Sequence, residues 1–262
     1  MTVVCLGGMH RSGTSLMSSY LLHCGVYMGD EMLDGRIGNK YGLFEDRSFL
    51  ELHKNILKNN RTYTYIPKTR LIVSESEFSK AQALFKSYNK KYKLWGWKDP
   101  RTSLFLNMWD EVDSNNQIRY LLMYREPYSV VDSLCRRLIK YKSPYQSVMP
   151  VLGCKAWLKY NKSVIDFFQS NKEKCMLVNI KGCIKDQNNS SALITKWLNI
   201  ENKDFSDVYH SKEMGNNTLS YYYTLYKKYM DVIYKYYSSD LEDMYSELEG
   251  MADITSKGVT IK

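Results

Sequence analysis

A chain of 262 residues is long enough to bury a substantial core, and a single domain is its expected organisation. Its 37 Lys+Arg against 28 Asp+Glu leave a charge of +9, which favours an anionic ligand or acceptor, yet no nucleic-acid-binding motif or dense basic block accompanies it. No run approaches the ~18 apolar residues of a membrane span, no charged segment leads into an apolar leader, and the six cysteines lack C-x-x-C pairs or histidines at ligand spacing, so a soluble cytoplasmic protein without zinc is expected.

The chain opens on "VVCLGGMHRSGTSLMSSYLLHCG", residues 3–25. Val3 to Leu6 reads as a short buried strand, and Thr14 to Cys24 carries apolar residues at helical spacing. Between them, Gly8 to Ser15 fits the phosphate-loop template G-x-x-x-x-G-K-[ST] except that Thr14 stands in the lysine position. Backbone N–H groups at a helix N-terminus can still cradle an anion. The missing charge must come from elsewhere, and Arg11 supplies a planar fork of donors from inside the loop. Such a loop suits phosphate or sulfate and is poorly suited to a magnesium-dependent NTPase.

A polar, glycine-punctuated stretch, "GDEMLDGRIGNKYGLFED", then reads as a long loop ending at a helix start near Glu45. "RSFLELHKNIL" places Phe49, Leu52, Ile56 and Leu57 on one helical face, and "SESEFSKAQALFKSYNKKY" is a second amphipathic helix with Ser or Glu capping. Between them "TYTYI" reads as a short strand within the otherwise unassigned Asn59–Val73 segment. "LWGWKDPRTSLFLNMW" starts as a strand and turns at Asp99-Pro100 into a helix, with proline at a tolerated early position. "IRYLLMYREPYSVVDSLCRRL" repeats the plan, with a strand from Ile118, a charged end at Arg125 and a helix opening at Pro127. "KAWLKYNKSVIDFFQS" is a helix, "KCMLVNI" a strand and "SALITKWLNI" a helix. Near 218–238, Leu219, Tyr222, Tyr223, Tyr226, Met230, Ile233 and Tyr237 form an aromatic stripe, read as the packing face of a C-terminal helix. Residues 1–240 are therefore expected to form one domain, with 241–262 a polar tail that frays. Strands alternating with helices imply an α/β fold, a P-loop-type, mostly parallel sheet flanked by helices, whose ligands collect at the carboxyl ends of the strands.

Three charged motifs fall at those ends: the loop at 8–15, "KDPRTS" at 98–103, and Arg125 followed eight residues later by Ser133. Their joint pattern resembles the sulfotransferases that use 3′-phosphoadenylyl sulfate, PAPS. "GMHRSGTSL" is similar to that family's 5′-phosphosulfate loop and "YREPYSVVDSLCRR" to its 3′-phosphate element, while "YGLFED" and "WGWKDPRTS" are similar to passages of its microbial, carbohydrate-type branch. The resemblance spans roughly residues 1–200, and the joint spacing is more specific than any single piece.

The resemblance implies sulfuryl transfer from PAPS to a hydroxyl, on a saccharide by the branch it resembles, with PAP as product and no metal. PAPS carries a phosphosulfate at one end and a lone 3′ phosphate elsewhere, so two anion sites are needed. Arg11, Ser12, Gly13, Thr14 and Ser15 would hold the first; Arg125 and Ser133 would close on the second. Arg11 would stabilise the leaving phosphate with Thr14 or Ser15 assisting, and His10 could donate a proton or hydrogen bond there, or simply cap the loop. The resemblance places "FED" beside the sulfuryl group, which makes Glu45 the first candidate base, although Glu45 and Asp46 equally suit a helix N-terminus; Glu31 and His53 are rivals. Lys98 and Arg101 would line the cleft, and Asp99 would orient Arg101 or cap the following helix. Two features depart from the family: "NIKGCIKD" stands where many relatives carry Tyr-Glu-Asp, and the glycine-rich adenine motif of the cytosolic small-molecule branch is absent. The alternatives are a P-loop kinase or NTPase, and a non-catalytic nucleotide-binding protein.

Overall fold

The computed structural model describes residues 1–33, 44–68, 70–209 and 221–260. Tyr41, Gly42 and Leu43 of "YGLFED", and Leu219 of the C-terminal stripe, lie outside the described residues, as does the side chain of Tyr222.

Four neighbouring parallel strands, in the order β2-β1-β3-β4, make up most of the sheet. They are β1 (Thr2–Gly8), β2 (Leu94–Lys98), β3 (Ile118–Tyr124) and β4 (Cys175–Asn179). Alternation along β1 sends Val3 and Cys5 into one apolar layer and Val4 and Leu6 into the other, so helices cover both faces. One layer holds α1 (Thr14–His23), α7 (Ile180–Lys185) and α8 (Gln187–Leu198); the other holds α2 (Arg47–Asn59), α3 (Glu75–Lys91), α4 (Leu106–Val112), α5 (Pro127–Lys140), α6 (Met149–Ser170) and α9 (Tyr221–Met251). The second layer is strongly aromatic: Phe49 stacks on Trp97 at 5.0 Å, and Trp97 meets Trp109 at 4.8 Å. Because β1 lies between β2 and β3, the chain reverses its direction of progress across the sheet there. That switch point opens a crevice beyond the carboxyl ends of β1, β2 and β3.

Several elements differ from the sequence expectation. "TYTYI" is a turn with one bridge between Tyr63 and Ile66, because its hydrogen bonds are spent locally. The helix after Asp99-Pro100 begins as a 3₁₀ turn, Pro100–Leu104, before α4. Helix α2 starts at Arg47 with Asp46 as its N-cap, accepting from the Ser48 N–H at 2.8 Å, so Glu45 stays outside the helix.

The largest departure is near the C-terminus, where residues 240–260 form a docked element. Helix α9 continues to Met251, and β5 (Ile254–Thr255) and β6 (Gly258–Val259) extend the sheet, β5 pairing parallel with β4. Glu249 anchors this end: it accepts from Tyr124 Oη at 2.7 Å, Asn179 Nδ2 at 2.9 Å and Ser256 Oγ at 2.7 Å. Burial alone would raise its pKa, but these bonds hold it below the ordinary glutamate value. Helix α7 approaches the hairpin so closely that a Cβ on Gly182 would lie 1.8 Å from the Thr255 carbonyl oxygen. Gly182→Ala is therefore expected to cost about 1–3 kcal/mol by overpacking, seen as a lower urea midpoint with unchanged slope.

Candidate functional site

The loop after β1 is shaped by backbone conformations that side chains rarely adopt. Gly13 has φ 90°, and a Cβ there would lie 2.4 Å from Ile180 Cγ1, so only glycine fits between the loop and the start of α7. Arg11 adopts φ 71° despite its side chain, a placement that costs of order 1–3 kcal/mol and persists only when its surroundings enforce it. The enforcing contacts come from the β3–α5 unit. Arg11 Nε donates to Ser133 Oγ at 2.8 Å, and Arg125 Nη1 donates to the Arg11 carbonyl at 3.3 Å. The two motifs expected to hold separate anions are thus joined through Arg11 itself.

No carboxylate of the described residues forms an ion pair with Arg11 or Arg125. Burial lowers the pKa of Arg11, and the like charges of Arg137 and Arg125 lower it further; burial and Arg136 do the same to Arg125. At Arg125 the nearby carboxylates of Glu126 and Asp132 offset part of that positive field, and Asp132 is itself paired with Arg136 at 2.7 Å, so Arg11 and Arg125 remain two cations without an ion-pair partner among the described residues. Ser12 Oγ is buried beside them without a hydrogen-bond partner.

At the end of β2 the charges are paired instead. Lys98 Nζ donates to Glu45 Oε1 at 2.8 Å and to Ser15 Oγ at 3.3 Å, linking the second motif to the loop. Arg101 Nη2 lies 3.3 Å from Glu45 Oε2 and 2.8 Å from Asp99 Oδ1. Burial lowers the Lys98 pKa despite its Glu45 partner; burial also works against the Arg101 cation, but Asp99 and Glu45 together raise it. Asp99 fills both expected roles, since its carboxylate also accepts from the Arg101 N–H and so caps the 3₁₀ turn.

The two rival bases are placed away from the crevice chemistry. His53 is fully buried, with Nδ1 2.7 Å from Asp99 Oδ2 and Nε2 accepting from Trp109 Nε1 at 3.0 Å, so both ring nitrogens are committed. Glu31 is on the surface beside Arg47. Asp46 is structural, accepting from Tyr88 Oη at 2.6 Å and from two backbone N–H groups.

His10 is different. Its Nε2 is buried and has no partner, while its ring packs against Tyr65 at 5.5 Å and Tyr160 at 6.3 Å. Burial, then Arg101, pushes its pKa well below the ordinary histidine value, with Lys98 and Arg137 adding to the effect and Asp99 opposing it. The imidazole is therefore neutral and presents an unused nitrogen. Tyr65 went unnoticed in the sequence; it reaches the site because Tyr160 Oη donates to the Thr64 carbonyl at 3.0 Å. A depression of about 450 Å³ lined by Met1, Asn116, Arg119 and Trp197 lies at the opposite ends of the strands and contains none of these groups.

No protein-family model matches the sequence, and no curated protein matches it. The structure is similar to a sulfotransferase domain from the curacin biosynthetic pathway, with TM-score 0.52 and 15% identity over 83% of this chain and 81% of that one. It is similar also to the sulfotransferase domain of the Synechococcus PCC 7002 olefin synthase, with TM-score 0.51 and 16% identity over 84% and 82%. At these identities the likeness is one of fold, and it includes the mostly parallel sheet that positions the crevice. Among the described residues no helix is long and apolar enough to cross a membrane.

Proposed function

We propose that the chain is a sulfotransferase that moves a sulfuryl group from PAPS to an acceptor hydroxyl, on a saccharide. The observation that carries this reading is the Arg11–Ser133–Arg125 junction, where a strained loop arginine and a second strand-end arginine, neither of them ion-paired among the described residues, meet at the switch point. The residues present fit such a donor. Ser12 Oγ and the backbone of Gly13, Thr14 and Ser15 offer donors to a phosphosulfate, and Arg125 with Ser133 offers a fork and a hydroxyl to a 3′ phosphate. The two structural similarities described above are to sulfotransferase domains, which supports the same reading.

When bound, the donor supplies an activated sulfuryl group. Arg11 bears on the oxygen that gains charge as the S–O bond to phosphate breaks. Lys98, fixed by Glu45 and Ser15, holds positive charge beside the loop. The acceptor oxygen forms the new S–O bond, and its proton goes to His10 Nε2, the buried nitrogen with no other partner. Glu45 was the first candidate for that role, but each of its carboxylate oxygens is engaged by a cation, so we assign it to aiming Lys98 and Arg101.

Calorimetric titration without magnesium tests the donor. Adenosine 3′,5′-bisphosphate is expected to bind in the micromolar range, and adenosine 5′-phosphate much more weakly. Arg125→Ala should weaken the bisphosphate by ~1.5–3 kcal/mol with little effect on the monophosphate. An equal loss for both ligands, or binding only of ATP with magnesium, would refute the assignment and favour a kinase or NTPase.

A further inference from the structure

Residues 60–68 and 70–72 belong to a surface loop whose two ends are pinned by one side chain. Asn60 Nδ2 donates to the Ile72 carbonyl at 2.7 Å, and Asn60 Oδ1 accepts from the Ile72 N–H at 2.8 Å. Inside the loop, Thr62 Oγ1 bonds the Ile66 carbonyl and the Ile66 N–H donates to the Tyr63 carbonyl at 3.0 Å. Loops closed and filled in this way are ordered, and they frequently carry function. The Tyr160–Thr64 bond fastens this one to the site, with the Tyr65 ring packed against the His10 ring at 5.5 Å. Tyr65 also lies in the field of Arg137, Arg101 and Arg11.

The chemistry of the loop is one-sided. From Asn60 to Val73 the sequence holds Arg61, Lys68 and Arg70 and not a single carboxylate. None of the three cations is ion-paired among the described residues, and all three are exposed. Tyr63 and Ile66 stand outward, 75% and 53% exposed, an unusual display of apolar surface on so short a segment. One exposed aromatic ring, Tyr63, and one partly buried ring, Tyr65, interleaved with unpaired cations match the two properties of an acidic sugar: a ring face that stacks on an aromatic side chain, and a carboxylate or sulfate that seeks a cation.

Resting on the sulfotransferase reading, we infer that residues 60–68 and 70–72 form the acceptor subsite and select an anionic saccharide, with Tyr65 positioning its sugar ring beside His10. A neutral sugar would satisfy the ring and leave the cations unused. An acidic peptide would satisfy the cations and leave the ring face unused.

The test is binding of a galacturonate hexamer and of its fully methyl-esterified, neutral form to the full chain held saturated with adenosine 3′,5′-bisphosphate. The acidic form should bind at least about tenfold tighter at low salt, with the preference shrinking as ionic strength rises. Combined Arg61→Gln, Lys68→Gln and Arg70→Gln should remove that preference, and Tyr65→Ala should weaken both forms. In every variant the bisphosphate affinity should stay within about threefold of the parent, because among the described residues the bonds of the Arg125 guanidinium and of Ser133 Oγ run to Arg11 and not to the loop; it also serves as the check on folding. Equal binding of the two hexamers to the parent, an unchanged preference in the triple variant, or tighter binding of a poly-glutamate peptide would each overturn the inference. Loss of bisphosphate binding by the parent itself would instead refute the sulfotransferase reading beneath it.

Discussion

His10→Gln should lower kcat by about 10²- to 10⁴-fold, the usual contribution of a positioned proton acceptor, while adenosine 3′,5′-bisphosphate still binds with near-parental affinity. The reason is local. A neutral imidazole with a free, buried Nε2 beside the loop can accept a proton, and glutamine fills similar space without that ability. Burial first, and then Arg101 with Lys98 and Arg137, keep the ring unprotonated in the free protein, with Asp99 the opposing charge and the Tyr65 and Tyr160 rings as its walls. A bound polyanion offsets those cations, so donor binding should raise the His10 pKa and make the ring a better base only when a donor is present. The sign can be checked by following the His10 Cε1 proton by NMR. Its midpoint should lie well below the ordinary histidine value in the free protein and move upward when the bisphosphate is added. Glu45→Gln is the matched control: it keeps the shape of the Lys98 and Arg101 partner and should slow turnover less than His10→Gln. If the glutamate variant is the slower and the histidine variant retains its rate, the base is Glu45.

How far the chain could be read in advance depended on whether a residue's neighbours lie near it in sequence. The strand, loop and helix from Val3 to His23 were legible because period and glycine placement are local signals, and the repeated strand–charge–helix pattern at Lys98 and Arg125 gave a parallel sheet directly. The partners of those charges were not legible. Glu45 and Lys98 are 53 positions apart, and nothing in "FED" distinguishes a carboxylate that starts a helix from one that clamps two buried cations. Tyr65 sits in a segment without period and is placed by Tyr160, which bonds its neighbour Thr64 from 96 positions away. The C-terminal hairpin was missed because its strands are two residues each, too short for alternation to register. Its one local clue is Ser256-Lys257 between Thr255 and Gly258, a two-residue connection of the hairpin kind.

The largest loss of stability should come from Asp99→Ala, which is expected to cost about 3–5 kcal/mol, as for breaking a buried ion pair by removing one partner. Asp99 is fully buried and engages His53 Nδ1 at 2.7 Å, the Arg101 side chain at 2.8 and 3.1 Å, and the Arg101 N–H at 3.1 Å. Alanine would leave the His53 N–H without an acceptor, uncap the 3₁₀ turn and leave Arg101 to Glu45 alone. Burial by itself would raise the Asp99 pKa, but the Arg101 charge and the His53 bond outweigh it and hold the carboxyl far below the usual carboxylate range. A folded value below the unfolded one means the stabilisation is complete above the unfolded pKa, near ~3.9, and is lost as pH falls below it. Acid unfolding of the parent should therefore steepen below that point, and Asp99→Asn, which keeps part of the bonding, should flatten that limb while lowering stability at neutral pH. The same variant separates folding from chemistry. If Asp99 acts by orienting Arg101, and through Glu45 fixing Lys98, then Asp99→Asn assayed well below its melting temperature should still show reduced turnover with bisphosphate binding retained. Parental turnover in the folded variant would confine the buried pair to stability and leave the aim of Lys98 to Glu45 and Ser15.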